Sequence, residues 1–198
     1  MLFRKGSTVP FPEAIQEGYC AEENYAAANV SAEKIVDMMA HFISLQESPV
    51  FFILELPSNL RDERVIPPDR LSVCHKDVYY IDGCTHEEAA ELLACSGELL
   101  VNDGMCAFGF GGHRSGDEIM VGKYNVMTLF SRQISRYDGF FEMHGIPRMT
   151  QLTTAWDTFT HEHPGQSEIV ETEGATVYDL PERYASWGMY RAEQREET

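Results

Sequence analysis

Apolar positions follow two different periods along this chain, and the switch between them marks out its elements. From Ser31 to Gln46, Ile35, Met39, Phe42 and Ile43 recur at spacings of three and four, which puts them on one buried helix face. Ser31 stands at the N-cap and Glu33 in the first turn. The run Pro49 to Pro57 is apolar on both faces at its centre, which predicts a strand inside a sheet. Lys76 to Gly83 reads as a second strand. Thr85 to Gly97 is a helix with Thr85 and Glu88 in capping-box register and Gly97 as its stop. Earlier, Val9 to Gly18 offers Pro12 to a first helical turn and Gly18 as an end. Ser58 to Arg70 mixes charge with a double proline and reads as a surface loop.

Beyond Gly104 the pattern becomes extended. Met105 to Phe110 and Asp117 to Phe130 read as two strands. Ile134 to Gly145 is a short helix or loop, and Met149 to His163 alternates loosely. Ser167 to Asp179 holds a strand and a turn at Glu173-Gly174. At the end, Asp179, Pro181 and Glu182 form a helix-start signature, predicting a terminal helix with Tyr184, Trp187 and Arg191 on one side. Early helices and late strands, without regular βαβ alternation, predict one α+β domain over residues 1–198. It is mainly an antiparallel sheet with helices packed on it, β-rich in its C-terminal half.

Five glycines fall within Gly104–Glu118, GMCAFGFGGHRSGDE, and raise the question of a phosphate-binding loop. The pattern fails that test. Gly122-Lys123 is followed by Tyr124, and the residue five before Gly122 is Asp117, whose carboxylate would face the phosphates. The dinucleotide pattern fails at Arg114, where its third glycine belongs. A hairpin fits better, with Gly111-Gly112 and Ser115-Gly116 as turn signals and Gly109 marking a bulge or close backbone contact. His113 and Arg114 are then exposed at the tip beside Asp117 and Glu118, and these four with Trp187 are the partner-binding candidates.

Composition narrows the function classes. With 198 residues, 43% of them hydrophobic, the chain can bury one core. The longest apolar run, Val50 to Leu54, is far short of a membrane span. The N-terminus has basic residues but no apolar stretch behind them, so the expectation is a cytoplasmic protein. Five cysteines, an odd number without close pairing, read as reduced thiols. The excess of 32 acidic over 15 basic side chains gives a formal net charge of -17. Such a body repels nucleic acids and anionic membranes, and it draws basic proteins towards itself. The plainer reading of the same charge is solubility.

Two constellations could carry chemistry. His161 and His163, two apart, would share one face of a strand and a metal ion, with His144 or Asp157 as a third ligand. The competing reading is an exposed turn at Glu162 to Gly165. Cys84 precedes the helix capped by Thr85, where the dipole lowers a thiol pKa, and His86 lies close by. Cys74-His75 are neighbours that face opposite sides of an extended chain. No cofactor motif is present. The expected function is an acidic binding protein that docks on a basic protein partner, such as an immunity or inhibitor protein neutralising a toxin enzyme. The alternatives are a small metal- or thiol-dependent hydrolase, or a structural subunit with an apolar patch at Tyr184, Trp187 and Tyr190.

Overall fold

The computed structural model describes residues 1–58 and 75–196. In chain order these form β1 (Ser7–Thr8), β2 (Gly18–Ala21), β3 (Tyr25–Asn29), α1 (Ile35–Ser44), β4 (Val50–Pro57), β5 (His75–Cys84) and α2 (His86–Asn102). There follow β6 (Ala107–Gly112), β7 (Glu118–Val121), β8 (Val126–Phe130), α3 (Phe140–Met143), β9 (Gln166–Ser167), α4 (Leu180–Arg183) and β10 (Tyr190–Glu196). Among the described residues eight strands make one antiparallel sheet, ordered β10-β5-β4-β6-β7-β8-β3-β2, while β1 and β9 pair separately. The architecture is the α+β arrangement that the periodicities predict. The loop expected at Ser58 to Arg70 lies, from residue 59 on, outside the described residues, as does Cys74.

The core lies on one face of this sheet. Phe52 and Leu54 of β4, Phe108 and Phe110 of β6, and Ile119 of β7 point towards α1 and α2. From α1, Ile35, Met39, Phe42 and Ile43 meet them, the same four residues that share the helical stripe. Short 3-10 turns carry some of the remaining chain, including Pro12–Ala14, Ala32–Lys34 and Ala155–Thr158. No helix among the described residues is long and apolar enough to cross a membrane.

The α2 capping box is formed: the Glu88 amide donates to Thr85 Oγ1 at 3.1 Å, and the Thr85 amide to Glu88 Oε2 at 2.8 Å. Gly97 does not stop the helix. It is buried in the α2 interior, where an added Cβ would sit 3.2 Å from Val36 Cγ2 of α1, so it marks the close approach of the two helices. The end of α2 is held by Arg4, which is 1% exposed. Its guanidinium donates to the Leu100, Val101, Cys106 and Gly122 carbonyls at 2.6 to 3.0 Å. Two of these are last-turn carbonyls with no partner inside the helix, and the negative end of the helix dipole suits the cation.

Three further expectations are corrected. Asp117 to Phe130 is two strands, because Tyr124 and Asn125 adopt φ of 56° and 63° and reverse the chain. Asn125 holds that turn by donating to the Leu2 and Val30 carbonyls. Gly111 and Gly112 lie inside β6, and of the hairpin glycines Gly116 (φ 70°) adopts the turn conformation. The expected terminal helix is one turn, α4, then a 3-10 turn Ala185–Trp187 closed by Gly188 at φ 86°; the chain then enters β10 on the sheet edge.

Candidate functional site

The face of the sheet opposite the helices carries the other half of each strand. Side chains alternate, so Phe51, Ile53 and Glu55 of β4 point away from the core while Phe52 and Leu54 point into it. Register then assigns the neighbours on this open face. Ile53 lies opposite Tyr80 of β5 and Gly109 of β6; Gly109 lies opposite Met120 of β7, and Met120 opposite Thr128 of β8. Tyr80 lies opposite Tyr190 of β10.

Strand β6 shows this face only Ala107, Gly109 and Gly111, so the floor is lowered along its length. Neighbours lean into the space. A Cβ on Gly111 would meet the Phe51 ring at 2.1 Å, and one on Gly109 would meet Met120 Sδ at 2.5 Å and the Ile119 carbonyl at 1.9 Å. The result is a trough of about 390 Å³ lined by Ile53, Glu55, Tyr80, Glu118, Met120 and Trp156, among others. A second hollow of about 260 Å³ shares Glu55 and Trp156 and reaches Lys76. Trp156 stands on the rim, edge-on to Tyr124 and Phe159. Large apolar groups stay exposed across the face: Tyr25 40%, Phe130 45%, Tyr190 46% and, on the rim, Trp156 53%.

Charge is unevenly satisfied in the trough. Glu55 accepts from Lys76 Nζ at 2.5 Å and Arg195 Nη1 at 3.4 Å, and Arg195 also pairs with Glu193. Lys123 is engaged as well. The Glu118 carboxylate has no hydrogen bond or ion pair among the described residues. Burial first, then the nearby Glu55 carboxylate, push its carboxyl above the ordinary value, and Arg195 only partly opposes them. The phenol of Tyr80 is raised too, by burial and then by Glu118.

The residues expected to act fall in several places. His113 and Arg114 are exposed at the β6–β7 tip as expected; the His113 ring packs edge-on to Phe51 and Arg114 pairs with the exposed Glu47. Asp117 is not at an exposed tip. It is 1% exposed and accepts from Tyr137 Oη at 2.8 Å and Arg136 Nη1 at 3.0 Å, on the core face. Strand alternation sends its neighbour Glu118 the other way, into the trough. Trp187 packs edge-on to Tyr184 and, with Cys84 and Glu88, lines a separate hollow of about 230 Å³.

Neither chemical constellation is assembled. Cys84 is 2% exposed, and burial, then Glu88, push its thiol up to about 11, which outweighs the helix dipole beside it. The thiol contacts the Ile81 carbonyl at 3.9 Å, and the buried His86 Nε2 has no hydrogen-bond partner among the described residues. His161 and His163 lie in a turn, closed by reciprocal Thr160 and His163 backbone bonds, not on a strand. Their suggested third ligands are held elsewhere: Asp157 caps Thr154, and His144 Nε2 lies 2.9 Å from His41 Nδ1. Among the described residues no group of three or more His, Cys, Asp or Glu is placed to hold a metal ion.

The trough itself was missed from sequence, apart from Glu118. One signal was available: Ala107, Gly109 and Gly111 put the smallest side chains at every second position of a strand, which strips one sheet face bare. Comparison with known proteins adds nothing to this geometry, since no family model, no curated protein and no solved structure matches the chain.

Proposed function

We propose that this is an acidic binding protein that docks on a basic protein partner in the cytoplasm, with the sheet face opposite the helices as its contact surface. The observation that carries the reading is the half-exposure of Tyr25, Phe130, Tyr190 and Trp156 on and around that face, beside the unpaired Glu118. Aromatic side chains supply large contact area at small entropic cost and dominate the centres of protein interfaces. The formal charge of -17 adds the long-range part, raising the encounter rate with a basic surface and setting its orientation. An inhibitor or immunity protein that neutralises a toxin enzyme is the biological form of this reading.

The test uses a basic protein encoded beside this one. Association with it should slow steeply between low and physiological salt. Phe130→Ala or Trp156→Ala should weaken binding by about 2 kcal/mol, roughly thirtyfold, in surface-plasmon or calorimetric measurements. Association that ignores both salt and these substitutions overturns the proposal.

A further inference from the structure

We infer that the Glu118 end of the trough seats an arginine side chain presented by the partner; this rests on the docking reading above and names its anchor. Three observations carry it. The first is the pairing of charges. Lys76 and Arg195 are neutralised by Glu55 and Glu193, and Lys123 is engaged, so the cations lining the trough need no anion from outside. Glu118 is the lining charge left without a partner among the described residues, so the missing ligand is a cation.

The second observation is what flanks that carboxylate. In register Glu118 lies between Gly111 of β6 and Phe130 of β8. The space above Gly111 is filled by the Phe51 ring. A carboxylate thus stands between two phenyl rings, that of Phe51 reaching over β6 from β4 and that of Phe130 on β8, the latter 45% exposed. The third is room, since the trough of about 390 Å³ opens directly onto Glu118.

These features select guanidinium over ammonium. A guanidinium is planar, packs on aromatic rings, and offers two parallel N–H donors to one carboxylate. It is also less strongly hydrated, so it loses less on entering a half-buried, ring-lined site than a lysine ammonium does. Glu118 itself has already lost much of its hydration, which strengthens any bond it makes.

The test is a titration of isotopically labelled protein with capped tripeptides, acetyl-Gly-X-Gly-amide, with arginine, lysine or glutamate at X, followed by amide resonances. The arginine peptide should shift Gly111, Glu118 and Phe130 with a millimolar dissociation constant. Lysine should bind several-fold more weakly, and glutamate should leave these resonances still. Glu118→Gln should weaken the arginine peptide by roughly tenfold or more, and Glu91→Gln, on the exposed side of α2, should not. An unchanged spectrum apart from local shifts shows that Glu118→Gln is folded. Equal arginine binding by Glu118→Gln and the wild type, or tighter binding of lysine or glutamate, overturns the assignment. If the arginine peptide fails while a basic partner still binds salt-sensitively, the anchor is wrong and the docking reading survives. If the peptide binds through Glu118 while partner association ignores salt, the anchor holds without that reading.

Discussion

Arg4 and Glu118 are both charged groups drawn out of water, with opposite consequences. Arg4 is surrounded by carbonyls that would otherwise lack donors, so it belongs to the stability of the fold. Arg4→Met should cost roughly 3–5 kcal/mol in denaturant unfolding, because the methionine fills the space and leaves the carbonyls bare. Glu118 has no such compensation. Its folded pKa is raised, so the protonated form is the one the fold favours. That contribution is fully present below the unfolded value, about 4.5, and is lost as pH rises through the higher folded value. Ionised Glu118 therefore destabilises the protein at neutral pH. Glu118→Gln should be more stable than the wild type at pH 7, with the difference closing towards pH 4, as read from melting temperatures. Its position is only half legible in sequence: the hairpin pattern marks Asp117 and Glu118 alike, and only strand register tells which of two neighbours turns outward.

At the scale of elements, legibility followed burial. Helix α1, the box-capped start of α2, and the strands β4 and β5 each have one buried face or a continuous apolar run, so their periodicity is written in the residues. Strand β10 has neither. All seven of its residues are exposed on the sheet edge, and YRAEQRE shows no apolar alternation for that reason. The preceding signals, Pro181 and Glu182, predict a helix that runs on into it, but that helix is one turn and Gly188 ends the following 3-10 turn. Gly97 shows the reverse error. A glycine near the end of a helical pattern reads as a stop, yet here it lets α1 and α2 touch. Gly97→Leu should destabilise the protein by about 1–3 kcal/mol in chemical denaturation, since the side chain meets Val36 across the contact. The turn at Tyr124-Asn125 was invisible because neither residue is glycine and the Asn125 side-chain bonds that hold it reach Leu2 and Val30, far away in sequence.

Among the described residues the sheet is one-sided. Helices close one face of a sheet of eight strands, and the other face keeps its aromatics half in water. The α+β class could be read from the periodicities, because it needs only the kind and order of elements. The trough could not. It takes alternate residues from β4, β5, β6, β7, β8 and β10 together with a rim residue, Trp156, so no short window of sequence contains it. The negative charge could be counted but not placed; the structure locates one carboxylate, Glu118, whose side chain has no counter-ion among the described residues.

The chain has two tryptophans, and they lie in different surroundings: Trp187 against Tyr184, and Trp156 on the trough rim. Trp187→Phe would leave a single indole at the mouth of the site, 53% open to solvent. Its emission should move to shorter wavelength when anything dry settles over the sheet and stay put when binding happens elsewhere. The protein thus carries its own optical gauge of occupancy, one that needs no label and no knowledge of the visitor.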